Sequence, residues 1–172
     1  SALSKVTDLL YKISESAAAG EVAEMEELLV QLRKRHVDLA GELLEQSPML
    51  KDKAVAEVNR ICDDLDALAR AVCAVKELSD RNKAIIISNG ELLSSTVICF
   101  AMNAKGIRTT WIDARKIMVT NDSYLKGEPV VDEILARVPG VVTEAYQGVD
   151  AVITQGFIAS NLNGEQTVLG RG

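Results

Sequence analysis

Residues 88–95, SNGELLSS, carry one carboxylate, Glu91, directly after a glycine and ahead of a mostly apolar run. Ser88 stands three residues before it, the spacing at which a hydroxyl and a glutamate satisfy each other's N–H groups at a helix start. Glu91 could instead be held for a ligand's ammonium group. A glutamate used only as a cap contributes about 1 kcal/mol and could be replaced by Gln. Gly90 favours the ligand role, since a cap needs no glycine whereas close approach of a ligand to the backbone does. A second charged feature closes the chain: TVLGRG, 167–172, could form a backbone loop with an adjacent guanidinium for a carboxylate or phosphate. Taken alone, it reads as an ordinary glycine turn with a surface arginine. Neither G-x-x-x-x-G-K-[ST] nor G-x-G-x-x-G after a strand occurs.

The elements that must position these residues divide at about residue 80. Before it, Val22, Met25, Leu29, Leu32, Leu39 and Leu43 recur at alternating spacings of three and four, one face of a long helix closed by Pro48. Val55, Val58, Cys62, Leu65, Leu68, Val72 and Val75 form a second stripe. Two such helices with a short link predict an antiparallel hairpin. His36, the only histidine, fills a gap in the first stripe and reads as a packed or interfacial residue rather than a catalytic one.

Beyond residue 80, AIIIS (84–88) fits a strand or a buried helical turn, and periodicity does not separate them. Residues 91–105 predict a helix with Leu93, Val97, Phe100 and Ala104 on one face, stopped at Lys105-Gly106. IRTTWID (107–113) predicts a strand, 130–138 a short helix ended by Pro139-Gly140, and DAVITQGFI (150–158) a buried strand running into a glycine turn. Strand, glycine turn and helix in alternation describe an α/β sheet domain. Ligands in such sheets collect beyond the carboxyl ends of the strands, which selects Gln155-Gly156-Phe157 and the start of the Glu91 helix.

Composition narrows the partners. In 172 residues, 48% are apolar but only 3% aromatic, so the core rests on Ala, Leu, Val and Ile. A net charge of -6 argues against nucleic acid, which requires a concentrated cationic face. No uninterrupted apolar run approaches a membrane span, and the opening SALSKVTDLL is not a signal peptide. Cys62, Cys73 and Cys99 are too scattered for a disulfide framework or zinc site and read as reduced, buried thiols of a cytoplasmic protein.

Five motifs fall in order: S-A-x-x-x-x-T at 1–7, G-E-x-x-S at 90–94, W-x-D-x-R-K-x-M-x-T-N-D at 111–122, Q-G-F-I at 155–158 and T-x-L-G-R-G at 167–172. The series, with a helical insertion at about 20–80, resembles the catalytic domain of the aspartate kinases of the amino-acid kinase family, over residues 1–172. The resemblance implies ATP-dependent phosphorylation of the L-aspartate side-chain carboxylate, the first step of lysine, threonine and methionine synthesis. It also implies a partial αβα sandwich with a mostly parallel sheet, and Mg2+ accompanying ATP, for which no residue here is named as ligand. By the same resemblance Glu91 pairs with the substrate ammonium and Arg171 grips a carboxylate. Ser1 and Thr7 line the substrate pocket, Phe157 belongs to a loop closing over the substrate, and Gly170 and Gly172 lie towards the nucleotide. Ser95, Asn121 and Asp122 lie in matching segments without an assigned contact. One anionic anchor and one guanidinium fork suit a small zwitterion with an extra carboxylate.

The family's K-F-G-G strand and its G-S-D continuation do not occur in this sequence. The chain is accordingly expected to be the substrate-binding part of a larger homo-oligomeric enzyme, and inactive alone. Competing readings are a kinase of the glutamate or acetylglutamate type, which the W-x-D-x-R-K-x-M segment and long hairpin disfavour, and a non-catalytic helical interaction module. The module leaves Gly90-Glu91, Gln155-Gly156-Phe157 and Gly-Arg-Gly unexplained.

Overall fold

A computed structural model describes residues 1–170. Four helices come first: α1 (Val6–Ala19), α2 (Val22–Leu43), α3 (Pro48–Val75) and α4 (Asp80–Ala104). Then follow β1 (Thr109–Trp111), a single 3-10 turn at Ala114–Lys116, β2 (Val119–Thr120), α5 (Val131–Ala145), β3 (Ala151–Ile153), β4 (Ile158–Asn161) and β5 (Gln166–Val168). The expected α/β class is observed, with helices dominating and strands short.

The hairpin of α2 and α3 is antiparallel, as the stripes predict: Arg70 pairs with Glu26 at 2.7 Å, and nearer the link Arg33 pairs with Asp63 at 2.6 Å. Met25, Leu29, Leu32 and His36 of the first stripe are buried, as are Val58, Cys62, Leu65 and Val72 of the second. The stripe ends Val22 and Val75 are half or more exposed. Pro48 does not close α2. It opens α3 at a first-turn position, where its missing N–H costs nothing.

The AIIIS ambiguity resolves as helix. α4 begins at Asp80, capped by the Ser79 hydroxyl accepting from the Asn82 N–H at 3.2 Å. It packs against α1 and α3, and its apolar residues Ala84, Ile86, Ile87, Leu93 and Val97 are buried on several sides. A helix covered all round reads as a continuous apolar run, which is why strand and helix were indistinguishable in sequence. Its length and composition would suffice to cross a membrane, contrary to the expectation that no segment would; here two-thirds of that stretch is buried by other elements of the chain. Burial contributes about 1.5–3 kcal/mol per large apolar side chain, so α4 and α3, which buries Val58, Ile61, Leu65 and Val72 among others, both contribute heavily to the core. The expected stop stands: Gly106 follows with φ +83.

Strand 107–113 contracts to β1. Segment 150–158 divides into β3 and the start of β4, with a turn at 154–157 between them. β1 and β3 pair in parallel, Trp111 opposite Ile153, joined by a crossover that includes α5. β2 and β4 are also parallel, and β4 returns antiparallel to β5 through a turn at Gly164, φ +77. The helix expected to end at Pro139-Gly140 continues through both to Ala145. α5 buries none of its residues, so the lost hydrogen bond and ring clash of Pro139 meet no packing constraint.

Candidate functional site

Glu91 lies at the middle of α4, not at its start, so the capping reading fails. Ser88 is itself buried and donates its hydroxyl to the Ala84 carbonyl one turn earlier at 2.6 Å. Gly90 does not serve the approach of a ligand to the backbone. A Cβ there would stand 2.9 Å from Ala2 Cβ, 3.1 Å from Val6 Cγ1 and 3.2 Å from Leu10 Cδ1. Gly90 lets α1 and its lead-in cross close over α4; the close neighbour is this chain and not a ligand.

Glu91 itself is 8% exposed. Its Oε1 accepts the Ala2 N–H at 2.9 Å. Oε2 has the Ser1 backbone nitrogen 3.3 Å away but no hydrogen-bond partner. The hydrogen-bond geometry is absent in that contact, and the Ser1 side chain is almost wholly exposed. A buried carboxylate oxygen without a donor costs at least about 1–3 kcal/mol, which a ligand ammonium would recover. Ser1 is therefore next to Glu91, while Thr7 lies half-buried in the first turn of α1.

One turn beyond Glu91, Ser95 projects from the same face of α4. Its hydroxyl accepts from Trp111 Nε1 at 2.9 Å and from Gln155 Nε2 at 3.1 Å, and donates to the Leu92 carbonyl at 3.2 Å. Gln155, 5% exposed, also donates to the Ile112 carbonyl and accepts the Ala114 N–H at 2.8 Å. These groups sit just past the carboxyl ends of the parallel pair β1–β3, where α/β sheets collect ligands.

Two residues later, Phe157 has φ +66, and the Ile158 N–H reaches back to the Gly156 carbonyl at 2.7 Å. A bond spanning two residues around a positive φ is the strained form of γ-turn, costing about 1–3 kcal/mol at a non-glycine residue. The Leu169 N–H donates to the Phe157 carbonyl at 2.8 Å and holds the turn from the other side. Phe157 packs against the core while Gly170 is exposed. Arg171 and Gly172 lie outside the described residues.

Sequence reasoning did not anticipate the Asp113–Arg115 fork. Arg115 Nε and Nη2 donate to the Asp113 carboxylate at 2.6–3.0 Å, and Nη1 donates to Gln166 Oε1 at 2.7 Å. Burial pushes the Asp113 carboxyl up, but the Arg115 bonds and charge outweigh it and hold the group below its ordinary range. The D-x-R spacing was the available signal. Asn121 and Asp122 shape turns: Asn121 accepts the Ser123 N–H, and Asp122 accepts from Asn161 Nδ2 at 3.0 Å.

A cavity of about 210 Å³ opens on the neighbouring face of α4, between Leu92, Thr96, Cys99, Phe100, Trp111 and Ile61 of α3, and does not include Glu91. Burial raises the pKa of its Cys99 thiol, which disfavours the thiolate, and pushes Cys62 up to about 11. His36 is fully buried, its Nδ1–H donating to the Leu32 carbonyl at 2.8 Å, away from all of these groups. Among the described residues no group of three or more His, Cys, Asp and Glu side chains could hold a metal ion.

No family model matches the chain. Lysine-sensitive aspartokinase 3 of Escherichia coli (strain K12) is 29% identical over 175 residues, covering 100% of the chain and 36% of that relative. An aspartokinase of Chlamydia pneumoniae is 30% identical over 172 residues, covering 100% of the chain and 34% of the relative. The chain's homologues are aspartokinases. It spans about a third of the length of these two relatives. The aspartokinase fold carries over as well: the crystal structure of E. coli aspartokinase III with aspartate and ADP superposes with a TM-score of 0.86 at 26% identity, over 100% of this chain and 36% of that one.

Proposed function

We propose that the chain is the amino-acid-binding part of an aspartate kinase catalytic domain, with the α2–α3 hairpin as its insertion. The observation that carries this reading is the buried Glu91 carboxylate with one oxygen lacking a hydrogen bond. It favours an ammonium-bearing substrate, as does the aspartate bound by the E. coli aspartokinase. In this reading Glu91 takes the α-ammonium and Ser1 and Thr7 flank it. Phe157 closes over the substrate, Arg171 grips a carboxylate, and Gly170 and Gly172 lie towards the nucleotide. Two charge-assisted anchors orient the side-chain carboxylate for in-line attack on the γ-phosphoryl group of ATP, giving 4-phospho-L-aspartate and ADP. Phosphoryl transfer gains most from such positioning. Mg2+ would arrive with the nucleotide, and none of the described residues is given a role towards it. A reducing compartment, the cytoplasm in a bacterium, accords with the three free thiols, and the resemblance adds a homo-oligomer.

The test is ADP formation by the full-length gene product with L-aspartate, L-glutamate or N-acetylglutamate as acceptor. Turnover with L-aspartate alone is expected. Turnover with N-acetylglutamate and none with L-aspartate would overturn the substrate, and no turnover with any of them would favour the helical interaction module.

A further inference from the structure

We propose that Gln155 is a positioning residue of the substrate site, fixing the Phe157 turn to the Glu91 face of α4 through the Ser95 hydroxyl. The inference rests on the aspartate-binding reading above and adds to it how the closing loop and the ammonium anchor are held in one frame.

The network is complete at each member. The Gln155 amide uses both donors, on Ser95 Oγ and the Ile112 carbonyl, and its oxygen takes the Ala114 N–H. Ser95 Oγ accepts twice and donates once, using its full capacity. One buried amide thereby ties α4, the end of β1, the 3-10 turn and the β3–β4 connection together. A fully satisfied buried network specifies one arrangement, and a partly satisfied one is costly. The strained turn lies just beyond it. Phe157 keeps φ +66 only while both flanks are held, by Gln155 on one side and by the Leu169 N–H on the other. Ser95 and Glu91 are one turn apart on one helix face, so the same hydroxyl that anchors Gln155 sets the loop's distance from the carboxylate. Trp111, the only tryptophan, is bonded to that hydroxyl and reports on the network.

The experiment is a double-mutant cycle in the full-length gene product, measuring L-aspartate binding by calorimetry and the KM values for L-aspartate and ATP. Gln155→Ala and Ser95→Ala should each weaken L-aspartate binding by about tenfold or more while the KM for ATP stays within about twofold. Ser95→Thr, which keeps the hydroxyl, should restore most of the affinity and the tryptophan emission. Phe157→Gly removes both the ring and the strain, so adding Gln155→Ala to it should cost little more. Losses that simply add in the double variant, or Gln155→Ala binding as tightly as the unsubstituted protein, would overturn the proposal with the substrate reading intact. Failure of the unsubstituted protein to bind L-aspartate would sink both. Urea unfolding of each variant identifies any that fails to fold, in which case Ser95→Ala against Ser95→Thr decides.

Discussion

The Ala2 backbone N–H donates to Glu91 Oε1 at 2.9 Å, joining the start of the chain to the middle of its most buried helix. One carboxylate oxygen is thereby fixed, and the other has no hydrogen-bond partner. Glu91→Gln keeps the side-chain length and the Ala2 bond but removes the charge. L-aspartate binding should weaken about 10- to 100-fold, the worth of one charge-assisted hydrogen bond. Unfolding free energy should hold or rise, because burying an amide costs less than burying a charge. Calorimetric titration and urea unfolding measure the two; equal affinity in the variant would exclude Glu91 as the anchor.

Gly90→Ala sets two effects against each other. Alanine gains about 1 kcal/mol over glycine in a helix interior. The new Cβ, however, would stand 2.9 Å from Ala2 Cβ and close to Val6 and Leu10, and overpacking costs about 1–3 kcal/mol. The contact wins, with net destabilisation expected, and a larger loss for Gly90→Val. Because Ala2 is the atom group displaced, the Ala2–Glu91 bond is disturbed in the same step. Urea midpoints of both variants provide the check.

The long amphipathic stripes at 22–43 and 55–75 revealed their helices because each packs on one side only, so periodicity survives in the sequence. α4 hid its length because it is covered on several faces, and Ser88, a cap by spacing, sits inside it. Gly90 was legible as a close approach but not as an approach by α1, since nothing local encodes which segment arrives. Q-G-F was legible as a turn following a buried strand, and the turn between β3 and β4 is observed there. The bonds among Ser95, Trp111 and Gln155 were not, because they connect residues up to 60 positions apart.

Pro139→Ala should firm up α5. The helix buries none of its residues, so the substitution meets no packing constraint, while restoring a backbone N–H inside the helix. Proline costs about 3 kcal/mol relative to alanine in such a position. Amide hydrogen exchange at 141–145 should slow by about tenfold or more, with little change in global unfolding because α5 contributes no core residue. Unchanged exchange there would show that Pro139 does not weaken the helix.

His36 predicts a pH dependence in a separate window. Burial foremost, with the nearby Arg35 charge adding to it, holds its folded pKa below the ordinary 6.5, against the opposing effect of the Leu32 carbonyl. Between the two values the unfolded chain binds the proton that the folded chain refuses, so stability must fall as pH drops through about 6.5 and level off below the folded value. The Asp113 carboxyl, also held low, contributes a loss in the same direction only below its ordinary 3.8, well beneath that window. His36→Leu removes the titrating ring together with its unpartnered Nε2. Urea unfolding between pH 8 and 5, about the span of neutral imidazole titration, should slope for the native chain and be nearly flat for the variant. Parallel curves would mean that His36 takes up its proton inside the folded chain as readily as outside it.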